Sequence, residues 1–334
     1  MAGLAALLAL PALAQDTGSP PEPNAKPALE LVERRLGVMG TELQLTVLGE
    51  DKAHLEATLD AAEAELRRVE DVFTSWRDSE LTRLNAHAGK GPFEVSQEQA
   101  RLIARALKVG ELSGGAFDIT FASVGKLWDF KADPPRLPTP EAVQAALVHV
   151  GYAKVKVDLE RSTVELPEGT RIGLGGMAKG YGVDQAMKIY LERGIQHGIV
   201  NAGGDLKALG LKQGKPWEVA IKHPRDRERV LAVIPVSNAC VVTSGDYERF
   251  VEVDGKRYHH ILDPRTGYPS TGCMSATVIA PEAALADALA TALCVLGPEE
   301  GLKLIDGLKR IEALVVGLDG KVYRSKGLPE AKRN

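Results

Sequence analysis

Apolar positions in the first part of the chain recur at helical spacing. Between His54 and Phe73 they return every three or four residues, which is the period of an amphipathic helix. A second helix is predicted to begin at Ser96, because Gln99 stands three residues later, as in a capping box. A third is predicted at Thr139, where Pro140 occupies the first helical position. Each of these segments needs a core to cover its apolar face.

Strand patterns dominate the rest of the chain. Residues 42–49 alternate apolar and polar side chains like a half-buried strand, and short strands follow one another after about residue 151. Hairpin turns are predicted at Asp254-Gly255 and at Asp319-Gly320, and two helices at 282–296 and 298–308. This order predicts an α+β fold with helices packed on a largely antiparallel sheet.

Composition excludes some classes of function. The chain has 334 residues, 44% of them hydrophobic, with 41 Lys+Arg against 45 Asp+Glu and a formal net charge of −4. It lacks the basic runs that bind phosphate-rich polymers, and only 5% of its residues are aromatic, so no nucleic-acid partner is expected. No internal stretch reaches the about 18 apolar residues that a membrane span requires.

The N-terminus predicts export. Residues 1–14 are predicted to be a signal peptide, because an apolar run ends in Ala-Leu-Ala, although no Lys or Arg precedes it. The Pro-rich segment 15–28 is predicted to be an extended linker, residues 29–328 the folded domain and residues 329–334 a tail. Since no Cys follows the run, we expect a soluble protein in the periplasm or at the outer face of the cytoplasmic membrane, without a lipid anchor or a transmembrane span.

The segment GLGGMAKGYG (173–182) is the richest in candidate chemistry. A Gly-rich turn that enters a helix presents main-chain N–H groups and a positive dipole end, which suit phosphate. It fits a dinucleotide fingerprint literally, but the preceding EGTRI is not an apolar strand, and Lys179 followed by Gly180 excludes a P-loop. The alternative is a tight turn whose glycines need positive φ. Ligand binding is the favoured interpretation.

Asp287 and Thr291 lie four residues apart, and therefore on one face of an Ala- and Leu-rich helix. A carboxylate with a hydroxyl suits Mg²⁺, which completes its octahedron with water, carbonyl or phosphate oxygens. The alternative is that Thr291 bonds back to its own helix while Asp287 is solvated. Neighbouring residues of a strand point to opposite faces, so at most one of His259 and His260 faces a site.

Eight ordered segments together resemble the ApbE-type FAD:protein FMN transferases, also called flavin transferases, from about residue 38 to about residue 317. The segments are MGT (39–41), SWRDSELTRLN (75–85), SGGAFDIT (113–120), GLGGMAKGYGVD (173–184), VNAGGDLKALG (200–210), TSGDYERF (243–250), HILDPRTGYP (260–269) and ADALATALCVLG (286–297). The resemblance implies an α+β fold around a deep FAD cleft. It also implies that FMN passes from FAD to a Thr or Ser of an acceptor protein, with AMP leaving and Mg²⁺ required.

The resemblance also implies roles for individual residues. The positions that match cofactor contacts are Met39, Trp76, Ala116, Phe117, Asp118, Gly173, Lys179 and Ile261, and those that match the Mg²⁺ shell are Gly176, Asp287 and Thr291. His260 and Asp287 are the candidate catalytic residues, with His260 deprotonating the incoming hydroxyl. The chain departs from the family at Gly173, where many members have Asp, and at Trp76, where Tyr or Phe is commoner.

Three alternatives remain beside FMN transfer. Some family members mainly hydrolyse FAD to FMN and AMP, and sequence does not separate the two reactions. A periplasmic flavin-binding protein without chemistry would not need the metal pair. A Rossmann-type oxidoreductase is disfavoured by the antiparallel strand pattern.

The acceptors of the family tend to be membrane redox subunits or exported flavoproteins, and an acceptor of that kind is the expected partner.

Overall fold

The structure, a computed structural model, describes residues 29–328, so the predicted signal peptide, linker and tail lie outside the described residues. The helices are α1 (Lys52–Phe73), α2 (Glu80–Ala86), α3 (Gln97–Leu112), α4 (Ala122–Gly125), α5 (Pro140–Leu147), α6 (Ala178–Glu192) and α7 (Ala283–Asp306). The strands are β1 (Glu30–Val38), β2 (Thr41–Gly49), β3 (Phe93–Glu94), β4 (Lys156–Asp158), β5 (Thr163–Glu165), β6 (His197–Ala202), β7 (Asp205–Leu209), β8 (Trp217–His223), β9 (Asp226–Val236), β10 (Ala239–Gly245), β11 (Phe250–Val253), β12 (Lys256–His259), β13 (Ser275–Ala280), β14 (Glu312–Val316) and β15 (Val322–Arg324).

One eight-stranded sheet organises the fold, in the order β1-β2-β6-β7-β10-β13-β14-β15. Every neighbouring pair in it is antiparallel. Three smaller sheets, β3-β5-β4, β8-β9 and β11-β12, lie beside it. The prediction of an α+β fold with a largely antiparallel sheet is confirmed.

Strand β10 shows how the sheet separates two layers. Cys240 and Val242 belong to the main core, which also contains the buried faces of α1, α6 and α7. Val241 points the other way and packs with Trp217 and Val236 of the β8-β9 ribbon. The period of two along the strand therefore places helices on one face of the sheet and a β-ribbon on the other.

Helix α1 confirms the amphipathic helix that the sequence predicts between His54 and Phe73. Asp51 caps it by accepting a hydrogen bond from the main chain of His54 at 3.1 Å. Its buried stripe includes Leu55, Leu59 and Leu66, each 1% exposed or less. Burying one such side chain stabilises the fold by about 1.5–3 kcal/mol.

The capping box predicted at Ser96 forms only in part. The main-chain N–H of Gln99 does donate to the Ser96 hydroxyl, at 3.2 Å. The reciprocal bond is absent, because the Ser96 N–H donates to Glu80 and both polar side-chain atoms of Gln99 are buried without a partner. The complete capping box of the described chain lies at the start of α2, between Ser79 and Thr82.

The two closing helices form one bent element. Helix α7 runs from Ala283 to Asp306, with non-helical torsions at Gly297 (φ 75°) and Pro298 directly after it. Proline lacks the N–H that would continue the ladder, so the bend falls at the predicted boundary. Across residues 29–328, none of the helices has the length and apolar character needed to cross a bilayer.

Candidate active site

The glycines of segment 173–182 serve close packing rather than a left-handed turn. None of them has positive φ, so the alternative of a turn that requires it is wrong. A Cβ on Gly180 would lie 2.2 Å from the Ala283 carbonyl oxygen, and one on Gly182 would lie 3.1 Å from the Met39 sulfur. A Cβ on Gly175 would meet nothing within 4 Å, so this turn leaves open space beside it.

Close packing at Gly180 joins the N-terminus of α6 to the beginning of α7. The Gly180 N–H donates to a carboxylate oxygen of Asp287 at 3.2 Å. In return, Asp184 of α6 accepts a hydrogen bond at 3.0 Å from the main chain of Ala284, near the start of α7. The two helix beginnings are thus fixed to each other, and Asp287 sits at the positive end of the α6 dipole.

Three residues predicted for the site meet at Gly176. A Cβ there would lie 3.1 Å from the Thr291 hydroxyl oxygen and 3.2 Å from a ring carbon of Phe117. The alternative in which Thr291 bonds back to its helix is not observed, because its hydroxyl has no hydrogen-bond partner in residues 29–328. Asp287 is only 2% exposed rather than solvated. The Thr291 hydroxyl, and the Asp287 oxygen that does not accept the Gly180 N–H, are therefore the oxygen donors near the glycine turn without a hydrogen bond in the described chain.

Lys179 lies between two buried carboxylates. Its ammonium nitrogen is 2.8 Å from one oxygen of Asp205 and 3.9 Å from one oxygen of Asp287. The other oxygen of Asp205 is buried and lacks a hydrogen-bond partner in the described part of the chain. Asp205 belongs to the family-like segment 200–210, but no role is predicted for this residue from the sequence. Its only sequence signal was an acidic side chain directly after a Gly-Gly turn.

Burial dominates the electrostatics of this cluster. It raises the pKa of Asp287 well above the usual value for Asp, and the neighbouring Asp205 raises it further, against the opposing effect of Lys179. Burial alone would lower the pKa of Lys179, but the two carboxylates more than compensate and raise it. The cluster thus holds a permanent cation and one carboxylate that lacks a full counter-ion.

His260 lies directly after β12 and is less buried than His259. Its main-chain N–H donates to the Arg249 carbonyl at 3.0 Å, while burial, Arg249 and His259 lower its pKa to about 4. Lys179 makes a smaller contribution that lowers the pKa of His260 in the same direction. His259 is buried, with its Nε2 atom 2.9 Å from the Ser270 carbonyl oxygen. That at most one of the pair faces a site stays a prediction.

The other predicted cofactor positions fall into two groups. Met39, at φ 56°, turns the chain between β1 and β2, and its sulfur rests against Gly182 of α6. Trp76 is 65% exposed, and its main-chain N–H donates to the Thr74 hydroxyl at 3.5 Å. Ile261 is buried directly after His260. Met39 and Ile261 are thus buried, whereas the Trp76 side chain is exposed, and their predicted contacts to the cofactor stay predictions.

The Ala116-Phe117-Asp118 segment is buried beside the glycine turn. The Asp118 carboxylate accepts hydrogen bonds from the Thr120 main chain and hydroxyl and from the Tyr152 main chain, at 2.5–2.8 Å. Burial raises its pKa although these bonds oppose the shift. The carboxylate therefore holds the backbone in place, and Phe117 is the side chain of this segment that reaches Gly176. Gly173 is anchored from the same region, since its N–H donates to the Ile119 carbonyl at 2.8 Å.

The residues at Gly176 suit a hard divalent cation. Residues 29–328 contain no group of three or more His, Cys, Asp and Glu side chains that could bind a metal. Asp287 offers one carboxylate instead, Thr291 a hydroxyl without a partner in the described residues, and Gly176 a main-chain carbonyl next to the open space at Gly175. A single carboxylate with neutral oxygens is a donor set that Mg²⁺ accepts, because it retains water and binds substrate phosphate.

Known proteins are similar to this chain in sequence and in fold. The profile of the ApbE family matches residues 39–315. The FAD:protein FMN transferase of Treponema pallidum is 36% identical over 315 residues, 89% of this chain and 87% of the relative, and that of Klebsiella pneumoniae is 35% identical over 276 residues, 80% of this chain and 79% of the relative.

Solved structures agree with the sequence relatives. The ApbE protein of Thermotoga maritima has a TM-score of 0.84 at 36% identity, with coverage of 91% of this chain and 100% of that one. The flavin transferase ApbE of Vibrio cholerae has a TM-score of 0.79 at 31% identity, with coverage of 89% of this chain and 98% of that one. The similarity therefore extends over nearly the whole described domain.

Proposed function

The chain belongs to the ApbE family, and we propose that it transfers the FMN moiety of FAD to a Thr or Ser hydroxyl of an acceptor protein, releasing AMP. The observation that carries the proposal is the meeting of Gly176, Lys179, Asp287 and Thr291 at the N-terminus of α6. This arrangement combines main-chain N–H groups, an ammonium and oxygen donors for a cation beside open space. Those are the groups that a pyrophosphate requires.

Lys179 and the turn at Gly175-Gly176 are the groups that would orient the pyrophosphate. The open space at Gly175 lets phosphate oxygens approach the backbone, and the α6 dipole favours their negative charge. When Mg²⁺ is bound by Asp287, Thr291 and the Gly176 carbonyl, it supplies charge neutralisation at the phosphates. Phe117 and Met39 provide apolar surface for the flavin or adenine ring.

His260 is the group that would accept the proton of the attacking hydroxyl. In the transfer, the acceptor oxygen forms a bond to the FMN phosphorus, and the bond from that phosphorus to the oxygen of AMP breaks. The hydroxyl proton passes to the imidazole, and AMP leaves with the electron pair. A pKa of about 4 keeps His260 neutral at physiological pH, and therefore able to accept a proton. Bound phosphates nearby would raise that pKa and so strengthen the base.

The acceptor and the location complete the proposal. We propose an acceptor that is a membrane redox subunit or an exported flavoprotein, met by this enzyme in the periplasm. The support is the apolar run of residues 1–14, followed by the Pro-rich segment 15–28. N-terminal sequencing of the protein purified from its source should begin near Gln15. A cytosolic protein that retains Met1 would contradict the export proposal.

Incubation with FAD, Mg²⁺ and a candidate acceptor tests the activity. Equal amounts of AMP, measured by chromatography, and of acceptor that fluoresces on a denaturing gel are expected. The matched control is an acceptor whose target Thr is changed to Val, which should remain unlabelled. AMP without labelled acceptor would indicate FAD hydrolysis instead, and saturable FAD binding without AMP would indicate a flavin carrier.

A further inference from the structure

The two carboxylates that flank Lys179 hold it unequally. The ammonium forms a close ion pair with Asp205 at 2.8 Å, whereas its distance to the nearer oxygen of Asp287 is 3.9 Å. The side chain of Asp205 is 1% exposed, and its second oxygen lacks a hydrogen-bond partner in the described chain. The ammonium therefore pairs chiefly with Asp205, although both carboxylates are within reach.

The position of Asp205 is fixed by the sheet. It is the first residue of β7 and lies opposite Ala202 of β6 and Val242 of β10, so strands on both sides hold its backbone. Asp287 stands on a different element, α7, and already accepts the Gly180 N–H through its other oxygen. A rigid carboxylate on the sheet and a second one on a helix, close enough to interact with each other, thus both lie within reach of the same ammonium.

We propose that Asp205 is a positioning residue, which holds the Lys179 ammonium on the sheet side and so leaves one Asp287 oxygen for a divalent cation. This inference rests on the proposed function, because it takes Asp287 as the carboxylate ligand of Mg²⁺. Asp205 needs no contact of its own with FAD or the cation, since it acts through Lys179. Its effect should therefore be visible with Mg²⁺ alone.

The physical reason is competition for one oxygen. A buried ammonium requires a counter-ion, because removing it from water without one is costly. Without the Asp205 charge, the nearest carboxylate to Lys179 is Asp287, and the ammonium would move onto the oxygen that the cation uses. Lys179 would then act as a tethered competitor of Mg²⁺. With Asp205 present, the ammonium already has its partner and the competition is relieved.

Mg²⁺ binding to the FAD-free protein, measured by titration calorimetry with MgCl₂, tests this role. Asp205→Asn should weaken binding by about tenfold or more, which is the effect of losing about 1.4 kcal/mol of binding free energy. Lys179→Met should bind at least as tightly as the wild type. The double variant Asp205→Asn/Lys179→Met should recover to within about threefold of Lys179→Met, because the competitor is gone.

The double variant distinguishes positioning from general structural support. If it binds Mg²⁺ as weakly as Asp205→Asn, or if Asp205→Asn binds like the wild type, the proposal is overturned. If Asp205→Asn fails to fold, the double variant still tests the proposal, because it carries neither of the two charges. It should then bind Mg²⁺ as tightly as Lys179→Met does. A crystal structure of Asp205→Asn should show the ammonium in contact with Asp287, and an unmoved Lys179 would contradict the proposal.

Asp287→Asn separates this inference from the proposed function. If Asp287→Asn binds Mg²⁺ like the wild type, Asp287 is not the ligand, and both the metal assignment and the role of Asp205 fail. If Asp287→Asn loses binding while Asp205→Asn does not, only the role of Asp205 fails. FMN transfer is measured independently of these titrations, so its absence would leave the Mg²⁺ results interpretable.

Discussion

Two charged clusters in this protein have the same composition and opposite behaviour. On the surface of α1, Arg68 pairs with Glu65 at 2.7 Å and with Glu98 at 2.8 Å. At the candidate active site, Lys179 stands between Asp205 and Asp287. Each cluster contains one cation and two carboxylates. The Arg68 side chain is 43% exposed, whereas the carboxylates around Lys179 are buried.

One carboxylate in each cluster has a shifted pKa, and the two shifts are in opposite directions. In the surface cluster, the hydrogen bond from Arg68 lowers the pKa of Glu98 and outweighs the opposing effect of its partial burial. In the interior, burial raises the pKa of Asp287 despite the nearby Lys179. The comparison teaches that an excess carboxylate is ordinary at the surface, but in the interior it attracts a proton or a metal ion.

The largest effect is expected from Asp287→Ala. Turnover should fall by about 10³-fold or more, since the phosphates lose the cation that neutralises them, while Lys179 keeps Asp205 as its counter-ion and the fold survives. AMP release as a function of Mg²⁺ concentration measures this. Thr291→Val is the graded control, with a smaller loss that high Mg²⁺ partly restores. Wild-type turnover and metal dependence in Asp287→Ala would show that the buried cluster is only structural.

His260→Gln comes next, with an expected loss of about 10²–10⁴-fold in kcat, the usual contribution of a general base. In the wild type at saturating Mg²⁺, the acid limb of kcat/KM should lie well below pH 6.5, because the free imidazole has a pKa of about 4 and is active when neutral.

Lower Mg²⁺ should move that acid limb to higher pH, since protons then compete for Asp287, whose pKa is raised. Measuring kcat/KM against pH at two Mg²⁺ concentrations separates the two groups. A limb near pH 6.5 that ignores Mg²⁺ would contradict both assignments.

Gly180→Ala tests the packing that brings the buried cluster together. The new Cβ would meet the Ala283 carbonyl oxygen at 2.2 Å, so the free energy of unfolding should fall by about 1–3 kcal/mol. Gly175→Ala is the matched control, because its Cβ meets nothing within 4 Å, and a change within about 0.5 kcal/mol is expected. Urea unfolding measures both. Equal stability of the two variants would mean that α6 and α7 do not require this contact.

The smallest effect belongs to the surface cluster. Arg68→Ala removes both ion pairs, yet the free energy of unfolding should change by less than about 1 kcal/mol, because exposed pairs are weak and are screened by salt. Urea unfolding at low and high NaCl concentration measures this, and salt should reduce the difference from the wild type. A loss comparable to that of Gly180→Ala would show that exposure does not separate the two clusters.

Local sequence patterns were enough to predict several helices and their ends. The periodicity before Phe73, the cap at Thr139 and the boundary at Gly297 all appear in the structure where the sequence placed them. These features depend on contacts within one element or one turn, so a short stretch of sequence contains the information. The ordered family segments likewise identified the fold and the flavin transferase relatives.

The tertiary structure decided what no local pattern could contain. The role of Gly180 depends on a carbonyl more than a hundred residues away, and the sequence offered only a glycine that suited a turn. The partner of Lys179 is Asp205, which reaches it because β7 lies in the centre of the sheet. Trp76 matches a flavin contact in sequence, and its exposure is a property that only the packed structure shows. Burial and long-range pairing arise only when the elements pack. Together they set the pKa of a buried carboxylate and determine which cation lies beside it.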